Sequence, residues 1–182
     1  MRQALTVRGM DGYVMTVRFE RTEDGTCRVT ARARDRRPFA VSHMAAGAGL
    51  PHDLATFAVE RALGLPGGFF NMTAHGAVFR SSGRRRTRPG RAVVLANREA
   101  LEDAERVVHE HQDRWARGLP TPAGTALREA AERWSALAPG QAFEEPWPRL
   151  PLPVRPDLPD RDRPAARRGP PRGRSARAAA SR

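Results

Sequence analysis

The sequence predicts an α+β fold: an N-terminal antiparallel β-hairpin or small sheet packed by a helix, then an antiparallel α-hairpin and a disordered C-terminal tail. Apolar and polar residues alternate over residues 13–34, which is the period of β-strands. Over residues 97–138, apolar residues recur at steps of three and four, which is the period of helices. From residue 146 onward proline and arginine dominate. We therefore expect a single domain over residues 1–145 and a disordered tail over residues 146–182.

The β-hairpin is predicted from two alternating runs that flank a tight turn. The dipeptide Asp24-Gly25 separates the runs, and glycine readily takes the positive φ angle that such turns require. A third strand is expected over residues 39–42. Proline cannot donate to a strand ladder, so Pro38 places this strand at a sheet edge or at a strand start.

Two short helices are predicted over residues 53–74. Pro51 suits the first turn of the first helix, and Asp53 is placed to accept hydrogen bonds from its unpaired amides. Gly64 is expected to end this helix in a left-handed conformation. The second helix is expected over residues 68–74, where its aromatic residues would reach the core.

The later half of the domain is predicted to contain an exposed loop and two longer helices. The arginine-rich residues 80–91 are flanked by serine, glycine and proline and hold nothing to bury, which is typical of a loop. The first long helix is expected to begin near Asn97, and the second near Thr121. Because their connection is short, residues 97–138 are expected to form an antiparallel α-hairpin.

The net charge of +12 is concentrated in two stretches of the chain. Residues 80–91 carry six arginines and no acid, and residues 155–182 carry nine arginines against three aspartates. The remainder is balanced. Nonspecific contact with nucleic-acid phosphates is one hypothesis for these arginine-rich stretches. The other is that they are only a solvated tail and, over residues 80–91, a solvated loop, with the arginine content of a GC-rich genome. No aromatic residues interrupt this run, so base stacking is not predicted. The candidate contact residues are Arg84, Arg85, Arg86, Arg88 and Arg91.

A conspicuous motif occupies the predicted helices. It consists of Leu-Pro-His-Asp-Leu at 50–54, Val-Glu at 59–60, Leu-Gly-Leu at 63–65 and Gly-Phe-Phe at 68–70. With this motif the chain resembles a family of short actinobacterial proteins, over roughly residues 13–80. That family has no assigned activity, so the resemblance implies a shared fold unit and no particular function.

Three residues of the motif helix suggest a metal site. His52, Thr56 and Glu60 are spaced by four and share one helix face. In some members of the family, the position that matches Thr56 looks like a histidine, which would give two histidines and a glutamate at steps of four. This chain has Thr56 there and departs from that pattern. A catalytic zinc needs at least three protein ligands, so this hypothesis adds His75 to His52 and Glu60. The alternative is architectural: His52 and Asp53 cap the helix, and Glu60 contacts the hairpin.

The remaining signals exclude several classes of function. The single Cys27 cannot form an intramolecular disulfide, and no nucleophile elbow, phosphate loop or dinucleotide motif is present. No secretion signal or bilayer-length apolar run is recognised, so we expect a cytoplasmic chain with no membrane partner, and we predict no cofactor. The leading hypothesis is a small non-catalytic binding or scaffold protein of unknown ligand. The alternatives are a metal-dependent enzyme centred on His52 and Glu60, and a nonspecific nucleic-acid binder.

Overall fold

A four-stranded antiparallel sheet organises the domain. The computed structural model describes residues 13–33, 37–45 and 49–156. The sheet has the strand order β3-β2-β1-β4. Its inner face is apolar because buried residues alternate along the strands, and Val17 of β1 pairs with the buried Ala31 of β2. The strands are β1 (Tyr13–Arg21), β2 (Thr26–Ala33), β3 (Phe39–Ala45) and β4 (Ala142–Pro148).

In the described residues, five α-helices accompany the sheet. The first crosses the middle of the inner face: the ring of Phe57 packs edge-on against Phe19 at 5.2 Å and lies 5.2 Å from the fully buried Trp147. The predicted α+β fold is therefore confirmed. The helices are α1 (His52–Leu63), α2 (Phe69–Ala74), α3 (Arg88–Ala96), α4 (Arg98–Ala116) and α5 (Gly124–Ser135).

The hairpin and the motif helices form where the sequence predicts them. Gly25 has a φ of 76° in the turn between β1 and β2. Gly64 has a φ of 62° at the end of α1, and its N–H bonds the last turn. The third strand is longer than the predicted residues 39–42 and lies at the sheet edge, as Pro38 indicates.

The prediction of a loop over residues 80–91 is wrong at its C-terminal end, because α3 already begins at Arg88. The side chain of Thr87 accepts a hydrogen bond from the N–H of Gly90 and caps the helix. Pro89 is tolerated in the first turn, where its missing N–H has no partner to lose. A Cβ on Gly90 would stand 2.9 Å from the carbonyl oxygen of Gly76, so this glycine serves close packing rather than a turn.

The predicted start of the tail at residue 146 is also too early. Pro146 and Pro148 lie in β4, which pairs with β1 and tolerates proline because it is an edge strand. Beyond the strand, residues 149–156 still contact the domain: the side-chain amide of Asn71 donates to the carbonyl of Pro151 at 3.0 Å. The rest of the predicted tail lies outside the described residues.

The helices were also compared with the requirements of a lipid bilayer. In the part of the chain that the structure describes, none of them has both the length and the apolar composition needed to cross one.

Candidate ligand-binding cleft

A cleft of about 450 Å³ lies beside α1, α4 and β3. Here we call it the α1–α4 cleft. Three of its walls carry polar groups, and Phe69 and Val108 supply apolar surface. The volume falls within the range of small-molecule sites in proteins, roughly 300–1,000 Å³. The described residues that line it are Ser42, His52, Asp53, Thr56, Glu60, Phe69, Glu105, Val108 and His109.

Asp53 joins the start of α1 to the third strand. One of its carboxylate oxygens accepts a hydrogen bond from the hydroxyl of Ser42 on β3. The other lies 3.5 Å from Nδ1 of the exposed His52. The predicted capping role is wrong, because α1 begins after Pro51 with no side-chain cap. The two oxygens of Asp53 contact Ser42 on the strand and the imidazole of His52, so both side chains are held at the mouth of the cleft.

Glu60 fixes the junction between α1 and α2. Its Oε1 accepts from the N–H of Phe69 at 2.7 Å, and its Oε2 accepts from the N–H of Phe70 at 2.9 Å. These amides open α2 and have no partner within that helix, so a carboxylate from α1 serves as their cap. The predicted contact with the hairpin is therefore wrong. A Cβ on Gly68 would lie 2.4 Å from the Glu60 carboxylate, which explains why glycine precedes the two phenylalanines.

Two groups of the cleft, Glu60 and His52, have pKa values above their ordinary values. Burial raises the pKa of Glu60 to about 8; the two N–H donors oppose this shift only in part, and Glu105 adds to it. Hydrogen bonding to Asp53 raises the pKa of His52, with a further contribution from the charges of Asp53 and Glu105. Both shifts favour protonation. The negative charge of the cleft near neutral pH therefore comes from Asp53 and Glu105 rather than from Glu60.

The composition of the cleft contrasts with that of the chain. Three carboxyl groups and two imidazoles line it, and none of its described lining residues is an arginine, although the chain carries a net charge of +12. His52 and Glu60, which the helical period places on one helix face, both line the cleft. Glu105 and His109 of α4 also line it, and the sequence did not predict that they would lie beside α1. Their four-residue spacing beside the apolar stripe was the only available signal.

The third residue of the metal hypothesis lies elsewhere. His75 does not line the cleft, and its Nε2 lies 2.8 Å from the carbonyl oxygen of Leu150. Both oxygens of Glu60 already accept backbone N–H groups. Within the described ranges, no three or more His, Cys, Asp or Glu residues are grouped closely enough to hold a metal ion. The structure thus does not bring His52, Glu60 and His75 together.

A second cavity of about 460 Å³ lies between α1, α5 and β4. Its polar wall is occupied by Glu145, which pairs with both Arg61 and Arg133. The guanidinium of Arg133 also stacks on Phe143 at 4.2 Å. The pKa of Arg133 lies below its ordinary value because the group is partly desolvated and faces Arg61. Two guanidinium groups thus share one carboxylate, and Glu129 also lines the cavity, so its described lining carries charges of both signs.

The five candidate phosphate-binding arginines lie in residues 84–91, in the loop before α3 and in the first turn of that helix. Arg84 is half-buried, and its guanidinium lies over the ring of Phe39 at 4.2 Å. The side chains of Arg85, Arg86, Arg88 and Arg91 are exposed. They are separate from the α1–α4 cleft, whose described lining includes none of them.

The fold and the cleft were compared with known proteins. No family model, no curated protein and no solved structure matches this chain, and the resemblance drawn from the motif therefore stays a prediction.

Proposed function

We propose that this protein is a small non-catalytic binding protein and that the α1–α4 cleft holds a small organic cation, such as an amine or a guanidinium compound. One observation carries the proposal: in a strongly basic chain, the described lining of this cleft has carboxyl groups and imidazoles and no arginine. Opposite charge attracts a ligand and orients it in a partly enclosed site.

Three features of the cleft suit such a ligand. Asp53 is held in place by Ser42, so its carboxylate is already oriented before a ligand arrives. Glu105 is exposed and has no described ion-pair partner, which leaves its charge available. Phe69 and Val108 provide an apolar surface for the carbon skeleton of the ligand.

The arrangement of the polar groups favours binding over nucleophilic catalysis. The hydroxyl of Ser42 donates to Asp53, and the imidazole of His52 contacts the same carboxylate. A serine nucleophile needs the base beside its hydroxyl, with the acid behind the base. Here the acid stands between the two groups, so His52 has no short route to the proton of Ser42.

A calorimetric titration tests the proposal. Putrescine, agmatine and spermidine are added to the full-length protein at pH 7 and low salt, with succinate as an anionic probe of similar size. We expect the cations to bind with a Kd below about 1 mM and succinate to give no heat. The proposal is wrong if no cation binds, or if succinate binds as well as putrescine.

Two substitutions locate the binding. Glu105→Gln should weaken the affinity by about two- to fivefold, the effect of one exposed charge. Asp53→Asn should weaken it by about tenfold, because that carboxylate is less exposed. Glu110→Gln is the matched control: Glu110 is an exposed residue of the same helix outside the described lining of the cleft. Equal loss with the control would place the ligand elsewhere. A zinc titration of the same protein should give no heat, and saturable zinc binding that is lost in His52→Ala would favour the metal hypothesis instead.

A further inference from the structure

A second surface carries charge of the opposite sign. Between Glu60 and Glu99 the sequence contains eight arginines and no acidic residue. Five of these arginines, at 84, 85, 86, 88 and 91, form what we call the arginine ridge. It runs through the short loop before α3 and into the first turn of that helix. No acidic residue is interspersed in the sequence of the ridge.

The loop at the start of the ridge is fixed by its own contacts. Ser82 donates its hydroxyl to the carbonyl of Phe79 at 2.8 Å, and the same oxygen accepts from the N–H of Arg84 at 3.3 Å. The guanidinium of Arg84 lies over Phe39 of the third strand. At the other end Thr87 caps α3. The intervening Arg85 and Arg86 are therefore presented from an anchored segment.

The outward side chains of the ridge are available to a ligand. Arg85, Arg86, Arg88 and Arg91 are exposed, and in the described part of the chain none of them lies within ion-pair distance of a carboxylate. Other exposed arginines do: Arg98 and Arg106 of α4, and Arg117 directly after that helix, each pair with an acid of α4. The ridge thus differs from an ordinary solvated helix face.

We propose that the arginine ridge binds the phosphate backbone of nucleic acid, independently of base sequence. Guanidinium groups match phosphate oxygens with paired N–H donors, and a row of them releases counterions from a polyanion. The ridge has no exposed aromatic residue on which a base would stack. This surface is distinct from the cleft, and the proposal does not depend on the ligand proposed there.

An anionic membrane is the competing partner of the ridge. The exposed Leu95 separates the two partners, because membrane binding would bury it and DNA binding would not. Arg88, Arg91 and Leu95 share one face of α3, and Leu95 is 73 % exposed. Helices that lie on membranes bury a whole apolar face, whereas this face offers one leucine beside the arginines. Phosphate contact by the arginines alone would leave Leu95 without a role.

The test compares two triple variants of the full-length chain by fluorescence anisotropy. The first carries Arg85→Gln, Arg86→Gln and Arg91→Gln. The control carries Arg106→Gln, Arg117→Gln and Arg128→Gln, which removes the same charge from exposed positions away from the ridge. Binding to a labelled 20-base-pair DNA is measured between 25 and 200 mM salt. The first variant should bind at least tenfold more weakly than the control at low salt. The slope of log affinity against log salt should be smaller in magnitude for this variant than for the control, by about two to three. Each lost phosphate contact reduces that slope by about 0.9.

Three results would overturn the proposal. The first is that the full-length protein does not bind DNA at 25 mM salt. The second is that the two triple variants bind equally, which would assign the binding to overall charge or to the C-terminal arginines. The third is that the protein binds phosphatidylserine vesicles and not DNA, and that Leu95→Ser abolishes this binding. Thermal unfolding of both variants near the wild-type midpoint establishes that the fold is intact.

Discussion

Asn97 and Val154 exchange two hydrogen bonds, in the way that neighbouring strands do. The side-chain Nδ2 of Asn97 donates to the carbonyl of Val154 at 2.8 Å, and the N–H of Val154 donates to Oδ1 of Asn97 at 2.7 Å. The same Nδ2 donates to the carbonyl of Val93 at 2.9 Å. One buried amide thus joins the end of α3 to the segment after β4.

Replacing Asn97 should release that segment. In Asn97→Ala the carbonyl and N–H of Val154 lose their partner, and we expect the free energy of unfolding to fall by about 1–3 kcal/mol. The N–H of Val154 should exchange with solvent much faster in hydrogen-exchange experiments. Arg155→Gln, a change of an exposed neighbour, is the control and should leave the exchange rate unchanged. Unaltered exchange in Asn97→Ala would show that other contacts hold residues 149–156.

The sequence predicted those elements whose signals are local. The turn at Gly25 and the end of α1 at Gly64 were both predicted because a positive φ is a property of a single residue. The strand β4 was not predicted, because prolines argue against a strand in the middle of a sheet. They are compatible with an edge strand, and the sequence does not show that β4 lies at the edge. The start of α3 was missed because Pro89-Gly90 also fits a turn.

The cleft shows the same limit. The helical period placed His52 and Glu60 on one face, but it cannot tell which atoms approach that face from elsewhere. The amides of Phe69 and Phe70 saturate Glu60, and Glu105 and His109 arrive from a helix about fifty residues later. Whether Glu60 is a metal ligand or a helix cap therefore depends on long-range packing, which the helical period of the sequence does not reveal.

Gly68 should tolerate no side chain. In Gly68→Ala the new Cβ meets the Glu60 carboxylate at 2.4 Å, so that group must leave the amides of α2. We expect a loss of about 2–4 kcal/mol in urea unfolding, from overpacking and from broken hydrogen bonds. Gly49→Ala is the control, because a Cβ there meets nothing within 4 Å, and it should change stability little. If the clash is with Glu60, the cost of Gly68→Ala should shrink in a Glu60→Ala background; an undiminished cost would locate the clash elsewhere.

The pKa of His52 should depend on its neighbour. Asp53 provides the largest upward contribution, through its hydrogen bond and then its charge, and partial burial opposes it. In Asp53→Asn we expect the pKa of His52 to fall to its ordinary value or below it, because the remaining desolvation disfavours the imidazolium. Glu105→Gln should lower it by less. The midpoint is read from the imidazole resonances in an NMR titration, with Glu110→Gln as the unshifted control. A midpoint that is the same in Asp53→Asn and the wild type would show that Asp53 does not raise the pKa of His52.

Glu60 should make the stability of the protein fall as the pH rises. Its pKa is 4.5 in an ordinary setting and about 8 in the folded protein. Between these values the folded state retains a proton that the unfolded chain has lost, so the contribution of Glu60 to stability is greatest below pH 4.5 and is lost progressively up to about pH 8.

Glu60→Gln removes that proton equilibrium and keeps one oxygen acceptor for the amides of α2. The stability of the wild type relative to Glu60→Gln should therefore decline from pH 5 to pH 8, with a slope of at most about 1.4 kcal/mol per pH unit. Urea unfolding at unit pH steps measures it, and Glu110→Gln should follow the wild-type curve in parallel. A difference that stays constant with pH would mean that the N–H groups of Phe69 and Phe70 keep the carboxylate ionised throughout, and that the helix terminus outweighs the cost of burial.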